Sequence, residues 1–260
     1  MGSKDQKSAP RLVDANSGML SLLADGSVNW PRTLRLAKHA CGDGIRRAVV
    51  TAASSDADAL LRRMPHLLGL LHQHSLSLAV TPAVELRLQS DLFEKVVHLS
   101  QILGGLHRRY VLLRVPSDTL LPILPVVDSL RRMKLTTVLL APERCDRFRQ
   151  DASELKKIVS IGGLVQLSAA SLTDQTNRHR IGFCRYMIRQ GLCHFVASES
   201  GRHHDLPISL SEAYRVMAKW VGHEVAGAIC CSNSGRLFDG DRIEATPQRR
   251  SLLKVFTRAA

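Results

Sequence analysis

Aromatic side chains are scarce in this 260-residue chain: Phe, Trp and Tyr together make up 4% of it. A core must therefore be built from Leu, Val, Ile and Ala, and there is little material for the stacking platforms that single-stranded nucleic acids need. No apolar run approaches the length of a membrane span, and the N-terminal stretch lacks the apolar region of a signal peptide. The six cysteines form no C-x-x-C pair, which excludes a zinc ribbon or a thioredoxin-like motif. A chain of this size has no need of disulfides, so reduced thiols and a cytoplasmic location are expected. Acidic residues are also short: 23 Asp and Glu face 36 Lys and Arg, a net charge of +13. That excess predicts attraction to polyanions, whether nucleic acid, an anionic surface or a phosphorylated or acidic protein tail. It is equally what an arginine-rich proteome would give.

Hydrophobic content is ordinary at 45%, enough for one large domain. "MGSKDQ" opens like a myristoylation signal, but Gln6 stands where Ser or Thr is wanted, and residues 1–10 are read as a disordered tail. Seven short apolar runs follow, at 11–15, 47–53, 76–83, 109–115, 135–141, 163–169 and 193–199. They are β-branched-rich and bounded by turn residues, as buried parallel strands are. Between them lie amphipathic segments such as 56–74, 119–133, 149–160 and 174–190. Gly44, Gly105, Gly162 and Gly191 stand where helix-ending glycines belong. Repeated strand–helix units without hairpin signals imply a parallel α/β sheet, and about seven of them fit a closed barrel better than a doubly wound sheet. The expectation is a single barrel domain over 11–243, followed by a basic C-terminal extension over 244–260.

A barrel of this kind carries its site at the carboxyl ends of the strands. Those ends read Asn16 to Gly18, Ala53 and Ser54, Glu85, Arg114, Ala141 to Arg144, Ser168 and Ser171, then Glu199 to His204. Two glutamates and several arginines at one mouth would have something to hold.

Several stretches resemble the bacterial tyrosine-protein phosphatases that act with capsular or exopolysaccharide synthesis kinases, within the PHP (polymerase and histidinol phosphatase) superfamily. "LLAPERCDRF" is similar to the family's I-A-H-P-E-R-Y segment, and "ELKKIVSIGGLVQLSAASLTD" to its L-x-x-L-V-x-x-G-x-L-x-Q-x-x-x-x-S-L-x-G block. "GLCHFVASESG" resembles its G-L-x-H-F-x-A-S-D-A-H, and "CSNSGRLFDGD" its closing N-P-x-x-x-x-G segment. More loosely, "LVDANSGMLSLLADGS" lies over I-D-I-H-C-H-x-L-P-G-x-D-D-G, "AVVTAAS" over the T-P-H strand and "VTPAVELRL" over the G-x-E-x-R strand. The resemblance implies a PHP-type distorted TIM-like (β/α)7 barrel, a divalent metal cluster of the manganese kind and hydrolysis of phosphotyrosine.

The same alignment removes most of that machinery. The H-x-H pair falls on Asn16 and Gly18, the T-P-H histidine on Ala53 and the H-P-E-R histidine on Ala141. A ligand glutamate falls on Arg114, the S-D-A-H aspartate on Glu199 and its histidine on Gly201. Asp25 and Glu85 remain as ligand-type residues, with Glu199 a longer substitute, and no matched histidine is left. Metal-assisted hydrolysis needs a cation to lower the pKa of bound water and neutralise phosphoryl charge.

Other groups imitate sites. His72 and His74 form an H-x-H at a helix end, where i and i+2 point to different faces. His203 and His204 sit on a loop facing the mouth, but a zinc-like site wants at least three protein ligands. Arg144 matches the arginine of H-P-E-R and suits phosphate oxygens; an ion pair with Glu143 or Asp146 is an equal expectation.

The favoured reading is a barrel that has lost its metals and its activity. It would bind phosphorylated or acidic protein segments, such as a tyrosine kinase tail, through Arg114, Arg144 and Arg202, with no cofactor. The alternatives are a working metal-dependent tyrosine phosphatase using manganese or another divalent ion held by Asp25, Glu85, Glu199 and His203 or His204, and a basic nucleic-acid binder. The last lacks a recognisable motif. At the mouth, Glu85 and Arg114 are expected to pair where metals would lie.

Overall fold

The structure, a computed structural model, describes residues 10–20, 25, 27–103, 105–116, 121–201 and 208–244. Seven strands, β1 (Leu12–Ser17), β2 (Ile45–Ala53), β3 (Ala79–Arg87), β4 (Tyr110–Arg114), β5 (Thr136–Leu140), β6 (Leu164–Ser168) and β7 (Phe195–Ala197), lie in sequence order. Every neighbouring pair is parallel. The seven apolar runs of the sequence are these strands. β3 alone is displaced, beginning later and running on so that Glu85 lies within it.

Parallel neighbours require a crossover, and helices supply it: α1 (Trp30–Gly42), α2 (Ala57–Gln73), α3 (Leu92–Ile102), α4 (Leu124–Arg132), α5 (Asp146–Gln150), α6 (Ser153–Ser160), α7 (Ala169–Thr173), α8 (Arg178–Arg189) and α9 (Leu210–Val221). Side chains of alternate parity divide between two cores, as the two-residue period of a strand dictates. Leu86, Val111, Leu113, Leu139, Val165 and Val196 face the helix layer. Ala83, Leu112, Val138, Leu140, Leu164 and Phe195 fill the barrel. Gly44, Gly162 and Gly191 follow α1, α6 and α8 with positive φ, the conformation a helix-ending glycine supplies without side-chain strain. No described helix is long and apolar enough to cross a membrane.

The barrel floor is closed by the chain's return after α9. Short helices α10 (His223–Gly227) and α11 (Ser234–Asp239), joined by a π-helical turn, bring Leu237 and Ile243 into the inner core beside Tyr110. The Tyr110 hydroxyl donates to the Asp241 carbonyl and accepts from Ile243 N at 3.1 Å. Two buried histidines also serve the frame. His107 Nε2 accepts from Val84 N at 2.9 Å and His194 Nδ1 from Val165 N at 3.1 Å. Burial pushes each down to about 4, which keeps the ring neutral as an acceptor.

β7 and β1 share no ladder, and side chains close the seam instead. Asp14, wholly buried, accepts from Ser198 N at 2.9 Å and from the Ser198 hydroxyl. Above it, Glu199 N donates to the Asn16 carbonyl at 3.0 Å. Burial raises Asp14 to about 6 against the donors' opposing pull. A folded-state pKa above the unfolded value means that this group favours the fold below about pH 4 and loses that contribution as pH rises to 6. The shift corresponds to about 3 kcal/mol. Asp14→Asn keeps the shape of the seam and abolishes the ionisation. Its stability relative to the wild type should rise by about 2–3 kcal/mol between pH 4 and pH 7 in urea titrations. A difference independent of pH would show that Asp14 is not ionised at a cost.

Candidate functional site

Seven strands pointing one way place their carboxyl ends at one mouth, and the residues expected there meet. Ala53 is in register with Glu85 across β2 and β3. Glu85 stands near the end of β3 and is 3% exposed. Arg114, the last residue of β4, reaches across the mouth. Its Nε donates to Glu85 Oε2 at 3.0 Å, and its Nη2 donates to Glu85 Oε1 at 3.3 Å and to Glu199 Oε1 at 2.6 Å. Arg144, in the turn after β5, holds the other Glu199 oxygen at 2.9 Å and donates to Ser168 Oγ at 3.0 Å. Two guanidinium groups thus bind two buried carboxylates. Burial by itself would lower the pKa of Arg114, but Glu85 and Glu199 outweigh it and drive the value upward. The guanidinium is charged at every accessible pH.

A second chain of hydrogen bonds supports Glu85 from the opposite side. Asn16 Nδ2 donates to Glu85 Oε1 at 2.6 Å, and Thr51 Oγ1 donates to Asn16 Oδ1 at 2.6 Å. Asn16 therefore stands at a position of the expected H-x-H pair and acts as a neutral donor to the carboxylate. Glu143 lies beneath, fully buried. Its Oε1 accepts from Ser168 N at 3.0 Å, and burial raises its pKa.

The backbone carries a further mark. Four described residues other than glycine have positive φ, and two of them are Ala141 (46°) and Glu199 (49°). Both are positions where the family resemblance puts metal ligands. A left-handed residue with a Cβ costs about 1–2 kcal/mol, and alanine offers no side-chain contact to offset it. The strained turn at Ala141 is therefore held by the structure around it rather than by its own side chain.

Not every sequence candidate belongs to this cluster. Asp25 is exposed and accepts from Ser27 N at 2.9 Å, capping its own turn. The expected pairing of Arg144 with Glu143 or Asp146 gives way to Glu199 and Ser168, while the Glu143 carboxylate accepts from Ser168 N and the Asp146 carboxylate pairs with Arg149. Arg202, His203 and His204 lie outside the described residues, as do the tail over residues 1–9 and the C-terminal stretch from 245. His72 and His74 are exposed at the end of α2, which leads into the amino end of β3 rather than the carboxyl ends that form the mouth. The sequence reading missed Asp14 and Thr51. A lone acid inside "LVDANS" was the available signal, since a buried carboxylate demands donors.

Among the described residues, no group of three or more His, Cys, Asp or Glu is placed to hold a metal ion. Gly201 adds a steric bar at the position of the S-D-A-H histidine. A Cβ built there would stand 2.4 Å from the Gly18 carbonyl oxygen and 2.9 Å from Leu36 Cδ1, at φ +87°.

Two measurements check this geometry. Arg114→Ala leaves the buried Glu85 without a cation and Glu199 with Arg144 alone, and should destabilise the fold by about 3–5 kcal/mol at neutral pH. Combining it with Glu85→Gln should recover at least about 1 kcal/mol of that loss in a double-mutant cycle, whereas additive effects would contradict the bridge. Gly201→Ala should cost about 2 kcal/mol or more, from the left-handed backbone and the clash together; an unchanged midpoint in urea would show that residue 18 yields freely.

With the fold and mouth in place, the similarity to known proteins can be placed on them. Tyrosine-protein phosphatase YwqE of Bacillus subtilis is 23% identical over 221 residues, covering 82% of this chain and 87% of YwqE. Tyrosine-protein phosphatase CpsB of Streptococcus agalactiae is 22% identical over 235 residues, 86% of this chain and 96% of CpsB. Among solved structures, one described with YwqE from Bacillus subtilis and CpsB from Streptococcus pneumoniae as unique metal-dependent tyrosine phosphatases superposes with a TM-score of 0.81 at 22% identity. It covers 91% of this chain and 98% of its own. A β-aspartyl dipeptidase from Fervidobacterium islandicum shares the fold more distantly, with a TM-score of 0.58 and 12% identity over 92% of this chain and 76% of its own. The family model for capsular polysaccharide synthesis proteins of the CpsB/CapC type matches residues 12–239, and the chain belongs to that family.

Proposed function

We propose that this protein is a non-hydrolysing member of the tyrosine-phosphatase family, a binding or regulatory module whose mouth recognises phosphorylated or acidic protein segments. The single observation that carries the reading is the Arg114 guanidinium lying between Glu85 and Glu199. The relatives' metal dependence asks for imidazole and carboxylate donors around a shared centre. Here the matched positions offer an amide, two alanines, two glycines, an arginine, an exposed aspartate that caps its own turn, and two glutamates whose oxygens are engaged by arginine. That donor set does not fit a divalent cluster, and no hydrolytic step is derived through one.

What the mouth has instead is two arginines held in place by its buried acids. Arg114 and Arg144 keep 20% and 26% of their side-chain surface exposed, so each presents guanidinium edge to solvent while held in place by buried acids. A planar, fixed guanidinium suits phosphate or carboxylate oxygens. A tyrosine kinase tail linked to polysaccharide synthesis is a segment of that chemistry. Arg202, beyond the described residues, is a further cation of the same loop.

The purified protein with excess Mn²⁺ should hydrolyse neither p-nitrophenyl phosphate nor a phosphotyrosyl peptide above a mock preparation. A manganese-dependent rate that disappears in Glu85→Ala would overturn the proposal in favour of an active phosphatase. In the same preparation, fluorescence anisotropy should show a phosphotyrosyl peptide binding more tightly than its unphosphorylated form, with the preference lost in Arg144→Ala.

A further inference from the structure

The opposite end of the barrel holds a second basic feature that the mouth does not explain. A pocket of about 620 Å³ opens beneath the start of β5, walled by the ends of α4 and α6 and by the return segment after α11. Arg109, Arg131, Lys134 and Arg242 line it, against one lining carboxylate, Glu244. Four cations and one anion leave a formal charge of +3 in one concavity.

Basic residues near helix C-termini commonly serve only to answer the free carbonyls there. Here backbone N–H groups have already taken those carbonyls. At the end of α4, Met133 N, Lys134 N and Leu135 N donate to the carbonyls of Ser129, Arg131 and Leu130. At the end of α6, Ile161 N, Gly162 N and Gly163 N do the same for Lys157, Val159 and Ile158. Lys134 itself sits in the left-handed conformation, φ 63°, which turns the chain at the pocket rim. Arg131 shares Asp128 with Arg132. Among the described residues, Arg109, Lys134 and Arg242 form no ion pair.

Two further features make this a built site. The clamp of Tyr110 on the Asp241 carbonyl and on Ile243 N fixes the backbone on both sides of Arg242, so that wall is tied to the barrel core. Thr137, 1% exposed, lies in the lining with its hydroxyl unpartnered among the described residues. A buried hydroxyl without a partner is costly, and a ligand oxygen would satisfy it. The lining contains no aromatic side chain, so a base or sugar ring would find nothing to stack on. We infer that this floor pocket binds a small polyanion bearing two or more phosphates, recognised through its phosphate oxygens. Several clustered cations match a linked pair or triplet of phosphates better than a single one.

Isothermal titration of the full chain with sodium tripolyphosphate tests the inference, with orthophosphate as a second arm. Binding should weaken by about ten-fold or more, 1.4 kcal/mol, in the double variant Arg109→Gln, Arg242→Gln. It should persist in Arg62→Gln, Arg63→Gln, which removes equal charge from the exposed face of α2. Arg144→Ala, at the mouth, should leave tripolyphosphate affinity intact, so this outcome is separable from that of the phosphopeptide test. No binding, equal losses in the two double variants, or orthophosphate binding as tightly as tripolyphosphate would each overturn the assignment.

Discussion

Two carboxylates buried at the same barrel mouth cannot both stay ionised unless a cation lies between them, and the rest of this site follows from that constraint. Glu85 and Glu199 are each 3% exposed. Like charges at such separation in a poorly solvated site would force one to take a proton. A guanidinium removes the repulsion and supplies several donors in a fixed plane. Arg114 touches both carboxylates, and Arg144 takes the oxygen that Arg114 leaves. Removing one member of such a network costs far more than the network contributes, because it strands the others. The cluster is therefore held as a unit.

The frame around this cluster is strained at two of the mouth positions. Ala141 and Glu199 occupy left-handed backbone, and the barrel seam is closed by Asp14 and Ser198 rather than by a ladder. A turn that aims a histidine at a metal has a reason for strain; a turn that aims an alanine has none of its own. The Gly18 carbonyl lies so close over Gly201 that a side chain there would have no room. Backbone strain and close main-chain contact thus meet at the same mouth as the arginine–glutamate cluster.

Much of this was legible in the sequence, for a physical reason. Buried parallel strands must be short, continuous and apolar, so "RAVVTAA", "RYVLLRV" and "LTTVLLA" announce themselves. Once strands run parallel in order, their last residues share a mouth, and Glu85 and Arg114 become neighbours without any further information. What stayed hidden depends on geometry of single atoms. Nothing in the sequence distinguishes Arg144 reaching Glu199 from Arg144 pairing with Asp146, since both acids lie within its span. Asp14 looked like any polar residue in a strand until the seam showed what it ties. The floor pocket was invisible because its four cations come from three separate stretches that only the closed barrel brings together.

The central claim is that arginine has taken the place of metal charge between Glu85 and Glu199. Equilibrium dialysis against micromolar Mn²⁺, followed by elemental analysis of the retained protein, tests it most directly. The account predicts no stoichiometric manganese in the wild type. One or more equivalents of manganese bound by the wild type, and lost in Glu85→Ala, would contradict it.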